Sequence, residues 1–263
     1  MPIDFHQPQH RNTYATRDAD NTWAEAMRAI AAPHGALAQQ RVADIGCGGG
    51  IYSLAWHALG VAGVTGVDFS AAMVAAARDK AAGQSGISFQ QGEATASGLP
   101  AAGADIVFER ALIHHLQDYA ACFAEARRVL GAGGLFIVQD RTPEDVALPG
   151  APDHLRGYFF ECFPRLLQVE AGRRPPRARV EQALRVAGFT QVQSQTLWEV
   201  RKTYTGFAPL EQDLAARTGR SILHELSDAE LRELIAHIRA RLPAAAPIVE
   251  KDRWTVWTGV KQP

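Results

Sequence analysis

Apolar and polar positions follow two alternating periods along this chain. Short apolar runs at 41–45 (RVADI), 63–67 (GVTGV), 86–91 (GISFQQ), 104–108 (ADIVF) and 134–139 (GLFIVQ) have the length of strands buried on both faces. Between them the spacing changes to threes and fours. Ser70 to Ala82 (SAAMVAAARDKAA) opens on a serine suited to N-capping and is rich in alanine, and 119–130 (YAACFAEARRVL) places apolar residues on one helical face. Strands alternating with helices predict an α/β fold with a mostly parallel sheet covered on both sides.

After the fifth run the pattern breaks. "TPEDVALPGAPD" and "GRRPPRARV" are rich in breakers and frame the aromatic segment Tyr158–Phe163, which reads as an insertion. Alternation returns at 189–199 and 253–260, predicting two further strands that pair antiparallel at one edge. The fifty or so residues between them are mostly helical, with a charged outer face along "RTGRSILHELSDAELRELIAHIRARL". The chain divides into a segment at 1–34, a core at 35–140, an insertion with a helix and the sixth strand at 141–200, a helical cap at 201–250 and a final edge strand at 251–263. No internal repeat is visible.

With 263 residues and 47% hydrophobic content, the chain has ample apolar material for a packed core. Its net charge of −1 gives no general attraction to nucleic acid or anionic lipid, so neither is an expected partner. Cys47, Cys122 and Cys162 form no CxxC pair and no Cys/His spacing for zinc, so no disulfide framework and no metal site is expected. The polar first residues lack a signal-peptide core and no run approaches a membrane span, so the expectation is a soluble, cytoplasmic protein.

The chemistry concentrates at "VADIGCGGG", where a strand carrying Asp44 runs into a turn containing Gly46, Cys47, Gly48 and Gly50. A strand, a glycine turn and the following helix (Ile51 to Leu59) bring backbone N–H groups and a helix N-terminus up to a ligand, with glycine wherever a Cβ would collide. The dinucleotide fingerprint needs glycine at position 51, where this chain has Ile51. "GVDFS" then puts Asp68 at the end of the second strand, where its carboxylate can accept both hydroxyl hydrogens of a ribose. A nucleoside ligand explains both features. The plainer reading makes Gly46–Gly50 a tight connection and Asp68 the next helix's cap.

Five segments in order, "VADIGCGGG", "GVDFSAAMVAAAR", "GEATASGLP", "ADIVFERALIHHL" and "EARRVLGAGGLFIV", resemble the class I S-adenosylmethionine-dependent methyltransferases, in particular those acting on small molecules. The resemblance covers residues 35–140. It implies a Rossmann-like, doubly wound, mostly parallel seven-stranded sheet with an antiparallel edge strand and helical cap insertions. It also implies S-adenosyl-L-methionine (SAM) as cofactor and S-adenosyl-L-homocysteine (SAH) as product. Asp44, Gly46, Cys47, Gly48 and Gly50 then form the cofactor turn, Asp68 holds the ribose, Phe69 and Met73 line the adenine, and Glu93 with the Ala94 backbone reads the adenine edge. Glu93 stands where the family more often has aspartate. Arg110 contributes its backbone carbonyl to the cofactor amine, or is an ordinary lining residue. In relatives the N-terminal segment folds over the cofactor as a lid, which makes Tyr14 and Arg17, with Arg11 as a lesser candidate, the contacts that could bind the methionine carboxylate; the plainer reading is a solvated amphipathic helix with Trp23 packed inward.

His114 and His115 follow the fourth strand, beside the expected methyl group. Two readings stand: a general base, or a histidine packed structurally into the turn. For the small-molecule acceptor, Tyr158–Phe163, Trp198, Tyr204 and Phe207 offer apolar walls or a core, and Arg201, Arg217, Arg220 and His224 could pair with an acidic group. The expected function is methyl transfer by in-line displacement (EC 2.1.1.-). The alternatives are a SAM- or SAH-binding regulator or silent homologue and, behind it, an NAD- or nucleotide-sugar-dependent enzyme. Monomer and homodimer are both open.

Overall fold

A computed structural model describes residues 19–243 and 247–262. Its seven strands form one sheet in the order β3-β2-β1-β4-β5-β7-β6. They are β1 (Arg41–Ile45), β2 (Gly63–Asp68), β3 (Ile87–Gln91), β4 (Ala104–Arg110), β5 (Leu130–Asp140), β6 (Phe189–Tyr204) and β7 (Ile248–Lys261). The first five run parallel. β7 lies antiparallel to both β5 and β6. The last strand is therefore not the edge: β6 is, and β7 is inserted between it and β5.

Helices cover both faces. α1 (Asn21–Ala31), α2 (Ile51–Ala58) and α3 (Ala71–Lys80) pack on one, where Trp23, Trp56 and Phe108 meet edge to face with centroids 5.4 to 5.8 Å apart. α4 (Ala120–Val129) and α8 (Arg177–Val186) cover the other, burying Phe123, Val129, Val180 and Leu184 against Val107, Phe136 and Trp257. Capping agrees with the sequence: the Ser70 side chain accepts from Met73 N, and Asp20 caps α1 by accepting from Trp23 N. Asp20 also accepts from Val200 N, which fastens the start of α1 to the edge strand β6.

Between β5 and β6 lie α5 (Pro143–Val146), α6 (Leu155–Cys162), α7 (Pro164–Arg173) and α8. Between β6 and β7 lie α9 (Phe207–Ala215) and α10 (Asp228–Arg239), the latter opened by a capping box from Ser227 and Glu230. α5, α6, α7, α9 and α10 share one apolar core, in which Tyr158, Phe159 and Phe160 meet Leu210, Leu234 and Ile238. The aromatic run from Tyr158 is thus mainly packing, and the two insertions form a single layer. Among the described residues, no helix is long and apolar enough to cross a membrane.

Candidate functional site

β1 and β2 end side by side, with Asp44 paired to Gly66 and Ile45 to Val67. The glycine turn springs from this end. Its N–H groups at Gly46 and Cys47 donate to Val67 O at 2.7 and 3.0 Å, and Gly50 N donates to Cys47 O at 3.0 Å. Gly46, Gly48 and Gly50 have φ of +78°, +52° and +78°, the left-handed region that glycine enters without a steric penalty.

The glycines are excluded from bearing side chains for different reasons. A Cβ at Gly50 would lie 2.9 Å from Ala77 Cβ, and one at Gly46 would lie 3.1 Å from Leu112 Cδ1. Those two positions are closed by the protein itself. A Cβ at Gly48 meets nothing within 4 Å, so it would project into open space beside the turn. Gly48 is the position where a ligand could approach the backbone.

Asp68 faces this same turn. Its Oδ2 accepts from Gly48 N at 2.8 Å and its Oδ1 from Ser70 N at 2.9 Å. This carboxylate braces the glycine turn and the residue that follows Phe69; the cap of α3 is Ser70 and not Asp68, which holds the Ser70 backbone. Asp44, one strand away, is fully buried and accepts from Ser53 Oγ at 2.5 Å. Burial pushes its carboxyl up to about 7; Asp68 adds to the rise, while Ser53 and Arg110 oppose it. Burial also pushes the Cys47 thiol well above its usual range.

Phe69 stands 46% exposed at the rim, whereas Met73 is buried in α3. Glu93 is exposed in a one-residue bridge to Ala96, and Ala94 packs against the core beneath α4. Tyr14, Arg17 and Arg11 lie outside the described residues.

The Arg110 side chain is engaged inside the protein. Its Nη2 donates to both Glu199 oxygens at 2.9 and 3.0 Å, and its guanidinium lies 4.1 Å from the Tyr52 ring and 4.0 Å from the Trp254 ring. Tyr52 Oη also donates to Glu199, Gln139 Nε2 donates to it at 2.8 Å, and Trp23 Nε1 donates to Gln139 at 3.0 Å. This buried row runs from the carboxyl ends of β4 and β5 past Trp254 of β7 to Glu199 within β6.

Ala111 follows with φ +52° and reverses the chain, bringing Leu112 over Gly46 before the tight turn Ile113–His115. His114 Nδ1 lies 2.8 Å from Asp140 Oδ2 and 3.1 Å from Oδ1, and His114 N donates to Oδ2 at 3.2 Å. Asp140, the last residue of β5, is fully buried and also accepts from Arg174 Nη1 at 3.0 Å and Arg141 N at 2.8 Å. Burial alone would raise its carboxyl, but His114 and Arg174 outweigh that and hold it well below the usual carboxylate range. His115 stacks on His114 with centroids 4.0 Å apart. Desolvation first, and His114 next, push it down to about 4, an effect that solvent at this exposed position weakens. The structure thus separates two histidines that the sequence leaves equivalent.

The candidate acceptor cations are committed elsewhere. Arg220 is buried between Asp213 and Glu250 at 2.7 and 2.6 Å, Arg201 donates to Thr218 O at 2.7 Å, and Arg217 bonds Leu223 O, Leu226 O and Asp228. Trp198 is 43% exposed and meets the His154 ring edge-on at 5.3 Å. Asp140, Gln139, Glu199, Trp254 and Arg174 are the site residues that sequence reading passes over. The one signal was "QDR" at 139–141, a polar triplet closing an otherwise apolar strand.

Residues 43–138 match the family model described as a methyltransferase domain. The chain is 36% identical over 121 residues to the uncharacterized methyltransferase YcgJ of Bacillus subtilis, covering 45% of this chain and 47% of that protein. It is 33% identical over 227 residues to phosphoethanolamine N-methyltransferase 1 of Arabidopsis thaliana, covering 84% of this chain and 42% of that one. It spans less than half the length of these curated relatives. Among solved structures, YcgJ aligns over 91% of this chain and 99% of its own with a TM-score of 0.57 at 20% identity. Phosphoethanolamine N-methyltransferase 2 of Haemonchus contortus, in complex with SAM, aligns over 99% of this chain and 60% of its own with a TM-score of 0.61 at 17% identity. At these identities the structural likeness speaks for the fold.

Proposed function

Residues 43–138 form a methyltransferase domain of the class I SAM-dependent family, and from that premise we propose that the chain transfers the methyl group of SAM to a small organic acceptor. The observation that carries this reading is the open space at Gly48 beside the Asp68 carboxylate. That cradle fits a nucleoside: Asp68 takes the ribose hydroxyls, Phe69 covers the adenine, and the buried carboxyl of Asp44 lies toward the cationic end. Glu93 and Ala94 read the adenine edge, and Tyr14 and Arg17 close over the methionine carboxylate. When bound, SAM supplies an activated methyl group on a good leaving group.

The protein's task is then alignment and exclusion of water. Asp68 and the glycine turn fix one end of the reacting pair. Arg110, clamped between Tyr52 and Trp254, gives the site a stiff floor. His114 is the better placed of the two histidines to take a proton from an acceptor.

Phosphoethanolamine is the acceptor named in two relatives, but the charges here do not favour a phosphate monoester. Arg110, Arg141, Arg156, Arg174 and Arg220 are all held by carboxylates at 3.2 Å or closer. The reading is therefore of an acceptor whose recognition does not depend on a phosphate, such as an amine, a phenol or an activated carbon acid.

The test is a turnover screen with methyl-labelled SAM against panels of amines, phenols, carbon acids and phosphoethanolamine. Labelled product from one panel, with SAH formed in equal amount, supports the reading. SAH binding without transfer in any panel favours the silent, regulatory alternative.

A further inference from the structure

The pair His114–Asp140 carries an inference that rests on the methyltransferase reading for its purpose but not for its test. We propose that Asp140 is a positioning residue that fixes His114 as the tautomer protonated on Nδ1, leaving Nε2 as the proton acceptor toward the methyl acceptor.

Three donors other than the imidazole surround Asp140. Arg174 Nη1 and Arg141 N point at Oδ1, at 3.0 and 2.8 Å, and His114 N points at Oδ2, at 3.2 Å. Asp140 is the last residue of β5 and fully buried, so its side chain cannot turn away to solvent. A carboxylate surrounded by donors stays ionised and can only accept. The one hydrogen bond it permits from a neutral imidazole is Nδ1–H to Oδ2, across the 2.8 Å separation. The proton is thereby placed on Nδ1, and Nε2 keeps its lone pair. Among the described residues no hydrogen-bond partner occupies Nε2.

The support continues outward. Arg174 is itself held by Glu170 at 2.5 Å, Glu170 by Arg156 at 3.5 Å, and Arg156 by Asp252 at 3.2 Å, with Arg141 donating to Asp252 at 2.6 Å. These buried pairs tie α6 and α7 to β5 and β7. His114 thus sits at the end of a charge-balanced scaffold supplied by the 141–200 insertion, β5 and β7.

The chemistry balances simply. An acceptor O–H or C–H gives its proton to His114 Nε2 while the pair left on the acceptor atom bonds to the methyl carbon, whose bond to sulfur breaks with its electron pair staying on sulfur to give SAH. An amine attacks with its own lone pair and passes its proton to Nε2 afterwards, and the imidazolium beside ionised Asp140 then returns the proton to water. Asp140 stays ionised throughout.

Asp140→Asn separates positioning from mere packing because the substitution is nearly isosteric. Arg174 and Arg141 N keep the amide oxygen at the Oδ1 position, so the NH2 group takes the Oδ2 position and faces Nδ1. Nδ1 must then accept, and the proton moves to Nε2. The experiment is long-range 1H–15N correlation on histidine-labelled full-length protein at pH 8, with His114 assigned by His114→Gln. The wild type is expected to show His114 with Nδ1 protonated, and Asp140→Asn to show Nε2 protonated. Methyl transfer in the variant should fall at least ~100-fold, with SAH affinity changed less than ~3-fold. A wild-type His114 already protonated on Nε2 overturns the proposal, whether or not the variant folds. So does an unchanged tautomer in a folded Asp140→Asn. A chain with the expected tautomers that binds no SAH would leave this geometry standing and refute the methyltransferase reading instead.

Discussion

Replacing Asp68 tests whether one carboxylate both braces the glycine turn and holds a ribose. In Asp68→Asn the two backbone donors, Gly48 N at 2.8 Å and Ser70 N at 2.9 Å, approach different oxygens. Whichever position the new NH2 group takes, it faces a donor. A hydrogen bond to a charged acceptor contributes about 1.5 to 3 kcal/mol, and a buried donor left unpaired costs about 1 to 3 kcal/mol. Ser70 is fully buried and cannot turn to water, whereas the Gly48 side is partly open, so about 2 to 4 kcal/mol of stability should be lost without ligand. The same change removes charged acceptance of the ribose hydroxyls, weakening SAH binding by about 2 to 4 kcal/mol, or roughly 30- to 1000-fold. Urea unfolding followed by the fluorescence of the buried Trp23, Trp56 and Trp257 reads the first effect, and titration calorimetry with SAH reads the second. An Asn variant with the wild-type urea midpoint and wild-type affinity would refute both roles at once.

The other substitutions divide the site into its parts. Gly48→Val should abolish SAH binding in a chain that still folds by circular dichroism, because its Cβ enters open space, whereas Gly50→Ala should lower the urea midpoint, since its Cβ would meet Ala77 at 2.9 Å. Glu199→Ala leaves Arg110 charged and sandwiched without its partner and should cost about 3 to 5 kcal/mol in thermal or urea unfolding, with little recovery in Arg110→Met/Glu199→Leu because Tyr52 Oη and Gln139 Nε2 lose the same acceptor. Asp44, with its carboxyl raised from 3.8 to about 7, adds stability to the unliganded fold that is complete below about pH 4 and is lost as the pH rises through about 7. A cation bound beside it favours the ionised form, so SAM binding at pH 7 should release about half a proton, read as a difference in calorimetric heat between phosphate and Tris buffers; equal heats after correction would remove Asp44 from the cationic end.

The parallel core was legible because its strands are short apolar runs closed by turn signals, whereas the register of β1 on β2 was not, since strands buried on both faces carry no alternation to fix it. Strand ends were less legible. β6 continues to Tyr204 and β7 begins at Ile248, beyond the stretches read as strands, because pairing with each other supports polar residues such as Lys202 and Glu250 that no period marks. The placement of β7 inside the edge pair is a tertiary outcome that alternation cannot encode. Turn and carboxylate were readable in "VADIGCGGG" and "GVDFS" since both are local in sequence. The partnership of Arg110 with Glu199 spans 89 residues and that of His114 with Asp140 spans 26, so neither leaves a spacing to detect. Buried charge was also hidden: Arg220 reads as a surface residue until Asp213 and Glu250 close around it.

Calorimetric titration of the full chain with SAH, run beside NAD, decides whether the glycine turn and Asp68 form a SAM site. One saturable site for SAH, lost in Gly48→Val, and no saturable heat with NAD are expected. Saturation by NAD, or undiminished SAH binding by a folded Gly48→Val, would contradict that assignment.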